Sequence, residues 1–247
     1  MGMPKGPWDE RWEFVSEEEL GKGGQGTTYE VRPKGGGDTA VLKLLRNNKN
    51  AQARRRVFQE VGSLRVVAAA GGAVPRVLHS NTEGFENADL KLFFVMELIG
   101  GQTLRQFVDA RGPLPLDDAA EITLSVARTI EIGHAEEVLH RDLKPENIMV
   151  RGDCPLEAVL LDYGVAYNKE DGDGATLAGE ALDNDFLSLP ERRSPGGNKR
   201  EKRSDITSLA AILYYCLTGH RPRDLRDEKL KQGDCTINHC PKRTSRR

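Results

Sequence analysis

Apolar and polar positions alternate from Phe14 to Val31 on either side of a glycine cluster. This predicts two strands, one through Phe14, Val15 and Leu20 and one at 29–31. Residues 33–38 have the composition of a turn, and 39–45 predict a third strand in which Lys43 is set among apolar neighbours. Val57, Val61, Leu64 and Ala68 then recur at helical spacing, so 51–70 predict a helix, stopped by Gly71 and Gly72. Two further apolar runs, 76–80 and 91–98, predict strands. Three strands, a helix and two strands describe a small antiparallel sheet with one packed helix. Gly100 and Gly101 mark a hinge, and beyond them the pattern turns helical. Thr103 is placed to cap a helix over 104–110, and Asp117 a longer one through Ile122, Val126, Ile130 and His134. A strand-rich stretch at 139–163, a long glycine-rich loop and a helix at 205–217 follow. Residues 1–13 read as a flexible lead-in and 221–247 as a polar basic tail, and neither repeats nor heptads occur.

Composition adds bounds. With 247 residues, 38% hydrophobic and 30% charged, the chain has the means to build a large buried core and is not disordered throughout. Its 36 Lys and Arg balance 38 Asp and Glu. That argues against a nucleic-acid partner held by a generally basic surface. No run approaches the roughly 18 apolar residues of a membrane span. The N-terminus lacks a signal-peptide apolar region, and Gly6 stands where a myristoylation signal needs Ser or Thr, so a cytoplasmic location is expected. Cys154, Cys216, Cys235 and Cys240 are too scattered for a disulfide framework and read as free thiols; Cys235, His239 and Cys240 alone fall short of a zinc site.

The chemistry concentrates in His140-Arg141-Asp142-Leu143-Lys144-Pro145-Glu146-Asn147. An aspartate beside a substrate hydroxyl orients it and accepts its proton, an asparagine five residues on holds a metal ion, and a lysine between them balances charge on a moving phosphoryl group. With this loop in hand, the chain over 14–220 resembles a eukaryotic-type Ser/Thr protein kinase, its motifs in unaltered order. The resemblance implies an α+β, bilobal protein-kinase-like fold, with an N-lobe at 14–97 and a mostly helical C-lobe at 98–220.

It also assigns roles. Leu20, Gly21, Lys22, Gly23, Gly24, Gln25, Gly26, Thr27 and Thr28 become the lid over ATP, whose glycines let backbone N–H groups approach phosphate. Gln25 departs from the aromatic residue usual at the tip. Thr28 departs from the valine that packs on adenine, which is expected to weaken nucleotide binding modestly. Lys43 matches the strand lysine that contacts the phosphates, and Glu60 the helix acid that places it; a snorkelling lysine and a solvated acid are the plain alternatives. Asp142, Lys144, Lys43 and Glu60 thus form the expected catalytic set. Asn147 and Asp162 are the expected Mg²⁺ ligands, Asp162 opening Asp162-Tyr163-Gly164 with Tyr in the Phe position. The hinge is read at Met96 to Ile99, with the backbone of Glu97 and Ile99 on adenine and Met149 beneath the base. Leu189-Pro190-Glu191 corresponds to the end of the activation segment, and Asp205 to the residue that anchors the catalytic loop backbone. Asn184 replaces the usual threonine, while Thr176 and Ser188 are candidate phosphorylation sites in a loop already rich in acids.

The family's C-lobe ordinarily continues with further helices, whereas this chain ends 30 residues after Leu217, in a tail whose nine Lys or Arg outnumber four Asp or Glu. The expected C-lobe therefore lacks its last helices. The helix at 205–217, apolar around most of its circumference, then calls for a partner or self-association to cover it. The function expected is transfer of the γ-phosphate of Mg-ATP to Ser or Thr hydroxyls of proteins. A catalytically impaired nucleotide-binding or interaction module, and a small-molecule phosphotransferase of the same fold, are the alternatives.

Overall fold

A computed structural model describes residues 3–22, 26–152, 156–163, 186–187 and 202–222. Five strands form the first lobe's sheet: β1 (Trp12–Lys22), β2 (Gly26–Pro33), β3 (Ala40–Leu45), β4 (Val77–Ser80) and β5 (Phe93–Glu97). They are ordered β1-β2-β3-β5-β4 with every neighbouring pair antiparallel. Helix α1 (Ala51–Ala69) crosses between β3 and β4, capped by Asn50, whose side chain accepts from the Ala53 N–H at 2.9 Å.

Alternation splits the sheet's side chains between two cores. Val41, Phe94 and Met96 face α1, joining Val57, Val61, Leu64 and Val67 in a core that continues into the second lobe. Ala40, Leu42, Phe93 and Val95 face the other way, into a separate cluster with Val31. That outer cluster is closed by Trp8 and Trp12. The segment expected as a flexible lead-in is therefore a structured strap. It makes a 3-10 turn at Pro7–Glu10, with Trp8 edge-on to Phe93 at 5.6 Å, and the Trp12 indole N–H donates to His79 Nδ1 at 3.1 Å. Two indoles bury more apolar area than the surrounding Pro, Gly and charged residues forfeit.

The second lobe begins with β6 (Gln102–Thr103) and α2 (Leu104–Arg111), where Thr103 and Gln106 form a reciprocal capping box. The longer α3 (Leu116–Ala135) starts after Pro115, not at a cap by Asp117; Asp117 and Asp118 lie in its first turn, where carboxylates complement the helix dipole. β7 (Ile148–Arg151) and β8 (Glu157–Leu160) complete a three-stranded sheet with β6, and α4 (Lys202–Thr218) packs on α3. Between the lobes Gly101 adopts φ +119°, and a Cβ there would lie 2.3 Å from the Val150 carbonyl oxygen, so the linker passes β7 too closely for any other residue.

The Leu189-Pro190-Glu191 motif, Asn184, Thr176, Ser188, Cys154, Cys235, Cys240 and the tail beyond residue 222 lie outside the described residues. Cys216 is a buried free thiol, its pKa pushed up to about 12 by burial.

Candidate active site

Two clusters form the site, one from each lobe. In the first, Lys43 sits on the face of β3 that looks at α1, and its ammonium donates to Glu60 Oε1 at 2.5 Å. Asp162, after β8, brings Oδ2 to 3.7 Å from the same nitrogen. Glu60 is 1% exposed and Lys43 11%. Burial alone would lower the Lys43 pKa, but Asp162 and Glu60 together raise it above its ordinary value, so the ammonium stays charged. Burial pushes the Glu60 carboxyl up, to about 7, against the pull of Lys43.

In the second cluster the 140–147 loop folds onto itself. Asp142 Oδ2 accepts from Lys144 Nζ at 2.8 Å and from Asn147 Nδ2 at 3.1 Å, and Asn147 Nδ2 also reaches the Asp142 carbonyl at 2.9 Å. Among the described residues Asp142 Oδ1 accepts no hydrogen bond, and the bonds to Asp142 fix the orientation of the Asn147 amide. The loop is held from below by α4. Asp205 accepts from the backbone N–H of His140 at 2.9 Å and of Arg141 at 2.8 Å, and contacts His134 Nε2 at 2.9 Å. Burial would raise the pKa of Asp205, but these hydrogen bonds and the His140 charge keep it below the ordinary value. Arg141 has φ +66°, a left-handed conformation costing about 1–2 kcal/mol for a residue with a side chain. The Asp205 bonds to the two N–H groups leading into Arg141 hold the chain there.

The clusters are joined through the stretch preceding and following Asp162. The Leu161 N–H donates to the Asn147 carbonyl at 2.9 Å, and the Tyr163 ring lies 4.6 Å from that of His140. Lys43, Glu60 and Asp162 are thereby tied to Asp142, Lys144 and Asn147.

Over Lys43 lies the β1–β2 hairpin, with Thr28 opposite Lys43 and Gly21 opposite Thr28 in register. The Thr28 hydroxyl, expected to face a base, instead donates to the Gly21 carbonyl at 3.1 Å, so its polarity is met within the hairpin. Thr27 is buried and Leu20 half exposed. A Cβ on Gly26 would come 2.7 Å from the Leu44 carbonyl, which explains glycine where the hairpin presses on β3. Gly23, Gly24 and Gln25 lie outside the described residues. At the far end of the sheet the Glu97 N–H donates to the Arg76 carbonyl at 2.9 Å, Ile99 is buried, and Met149 pairs with Thr103 across β6–β7.

A model of the protein kinase domain matches residues 14–244. The chain belongs to this family. Its relatives include the serine/threonine-protein kinase PknD of Mycobacterium tuberculosis, 33% identical over 205 residues that cover 82% of this chain and 29% of PknD. They also include the serine/threonine-protein kinase Pkn3 of Myxococcus xanthus, 30% identical over 221 residues, 85% of this chain and 38% of Pkn3. The kinase domain thus spans about a third of the length of these relatives. Rad53 residues 1–466, solved with AMP-PNP, shares the fold with a TM-score of 0.64 at 24% identity, covering 87% of this chain and 49% of that one. The strap at Pro7–Glu10 precedes the matched region. No helix among the described residues is long and apolar enough to cross a membrane.

His134, Arg54 and the two tryptophans are the contributors that motif reading passes over. His134 occupies a core position by helical spacing, and only the fold brings it to Asp205.

Proposed function

We propose that this kinase domain transfers the γ-phosphoryl group of ATP to Ser or Thr hydroxyls of protein substrates. The observation that carries the reading is one cleft in which a charged, twice-paired lysine stands beside a loop whose aspartate keeps one carboxylate oxygen open among the described residues. Lys43, held by Glu60, meets the α- and β-phosphates. Asp142 orients the acceptor hydroxyl and takes its proton on Oδ1, while Lys144 offsets charge on the transferring group. The hairpin from Leu20 to Thr28 covers the phosphates, and the Glu97 and Ile99 backbone with Met149 receives the base.

Two oxygen donors, the Asn147 amide and the Asp162 carboxylate, suit a hard cation completed by phosphate oxygens, so these residues would hold Mg²⁺. When bound, the ion neutralises charge on the phosphate tail. Lys144 beside the aspartate, together with the Ser/Thr kinases among the relatives, supports a hydroxyl of Ser or Thr as acceptor.

The test is phosphate incorporation from labelled Mg-ATP into a generic protein substrate, beside Asp142→Asn. Wild type is expected to transfer at least a hundredfold faster; equal incorporation by both rejects the reading.

A further inference from the structure

Arg54 has the largest fully buried side chain described. Its charge meets no carboxylate within ion-pair distance among the described residues. All five guanidinium N–H groups instead go to backbone carbonyls. Nε donates to Phe85 at 2.6 Å, one terminal nitrogen to Asn48 at 3.0 Å and Leu90 at 2.7 Å, and the other to Gly84 at 3.0 Å and to Asn87. Four of those carbonyls belong to the segment 84–90 between β4 and β5, and the fifth to the chain entering α1. An isolated buried cation would cost several kcal/mol, so the ring of carbonyl dipoles is what lets it exist there.

Its position gives this clamp a purpose. The buried residues of α1 run Arg54, Val57, Glu60, Val61, Ser63, Leu64 and Val67, so Arg54 is the buried residue of the first turn and a half. The aliphatic anchors follow further along. The segment and the turn leading into it support the helix at two further points: Phe85 stacks on Phe58 at 4.7 Å, and Glu83 pairs with Arg65 at 2.7 Å. Asn48 secures the segment from the other side, donating to the Leu90 carbonyl at 2.7 Å and accepting from the Leu92 N–H at 2.9 Å. Glu60, also buried, lies six residues beyond Arg54, about 9 Å of helix rise and about 120° round the helix. A tilt of the clamped end carries Glu60 with it.

We propose that Arg54 is a positioning residue for phosphoryl transfer: by clamping segment 84–90 to the first turns of α1, it sets where Glu60 meets Lys43. The proposal rests on the kinase reading above, and a kinetic double-mutant cycle tests it. Arg54→Lys keeps the charge but has three donors on one nitrogen, too few to reach five carbonyls. Acting through Glu60, it is expected to lower kcat tenfold or more, with the KM for the protein substrate within twofold. In a Glu60→Gln background the same change is expected to alter kcat less than twofold. The full factor in both backgrounds, or no loss in the first, overturns the proposal, since a residue that merely supports the fold costs the same with or without Glu60.

If Arg54→Lys does not fold, Asn48→Ala, which loosens the same segment, takes its place in the cycle. A threefold loss confined to the Glu60 background supports the clamp, and an equal loss in both overturns it. The cycle is also read on affinity for a fluorescent ATP analogue, which separates the two readings. Wild type that binds the analogue but transfers nothing refutes the transfer reading; coupling of Arg54 to Glu60 in binding then still supports the clamp, and additivity overturns it. Wild type that binds no analogue overturns both.

Discussion

Tyr163 buries its hydroxyl with no hydrogen-bond partner among the described residues, against Gly133 on α3 and the His140 ring. Burial, with the nearby Asp205 charge, raises its pKa well above the ordinary phenol value, so it stays neutral. An unmet buried hydroxyl costs about 1–3 kcal/mol, and the aromatic body alone makes the packing contact. Tyr163→Phe is therefore expected to stabilise the domain by about 1 kcal/mol, read as a higher urea midpoint at unchanged slope; a lower midpoint would show that the hydroxyl has a partner in solution. The presence of a tyrosine at this position was legible from the motif. Whether its hydroxyl would find a partner was not, because that depends on α3 passing Gly133 beside the ring. Thr28 went the other way: its hydroxyl looked like an intrusion on a base, and the register of β1 against β2 gave it the Gly21 carbonyl.

Among the elements, those with sustained periodicity were readable. α1 and α2 lie within a residue or two of the spans their spacing predicts, and the Thr103 cap is in place. Elements whose evidence is a few residues were not. The strap shows why: its Pro, Gly and charged residues look like solvated chain, and two indoles outweigh them only once a sheet's outer face is available. Trp8→Ala is expected to cost about 3–5 kcal/mol, the range for emptying a buried aromatic site. It should also speed amide exchange in β5, whose Phe93 and Val95 would lose their cover. Stability within 0.5 kcal/mol of wild type in thermal unfolding would show that the strap is not docked. Arg54 likewise falls in phase with Val57, Val61 and Leu64, a basic residue on an apolar stripe; that phase was the available signal of burial.

Across the whole molecule, the site depends on two carboxylates from separate elements converging on the Lys43 ammonium, and its pH dependence follows from them. Glu60 has its folded pKa raised from 4.5 to about 7. Its own contribution to folding stability is therefore greatest below its unfolded value and is lost as pH rises from 4.5 through about 7. Catalysis runs oppositely, because protonated Glu60 no longer provides Lys43 with an anionic partner. kcat/KM for ATP is expected to fall about tenfold per pH unit below pH 7, while the unfolding midpoint does not fall with it on account of Glu60. Glu60→Gln should remove that acidic limb at a lower plateau. An unchanged limb in Glu60→Gln would assign the titration elsewhere.

By itself, the amino-acid order determined the longer helices and strands of the lobes, the family and a set of candidate residues for phosphoryl transfer, because periodicity and a spaced motif are local properties of the chain. The tertiary structure alone decided that the Arg54 charge would be solvated by five carbonyls, that Asp205 would hold His140 and Arg141 from α4, and that Trp8 and Trp12 would seal a sheet. Backbone carbonyls are common to every residue and leave no mark in the sequence. Which of them converge on a buried charge is settled only when distant segments pack.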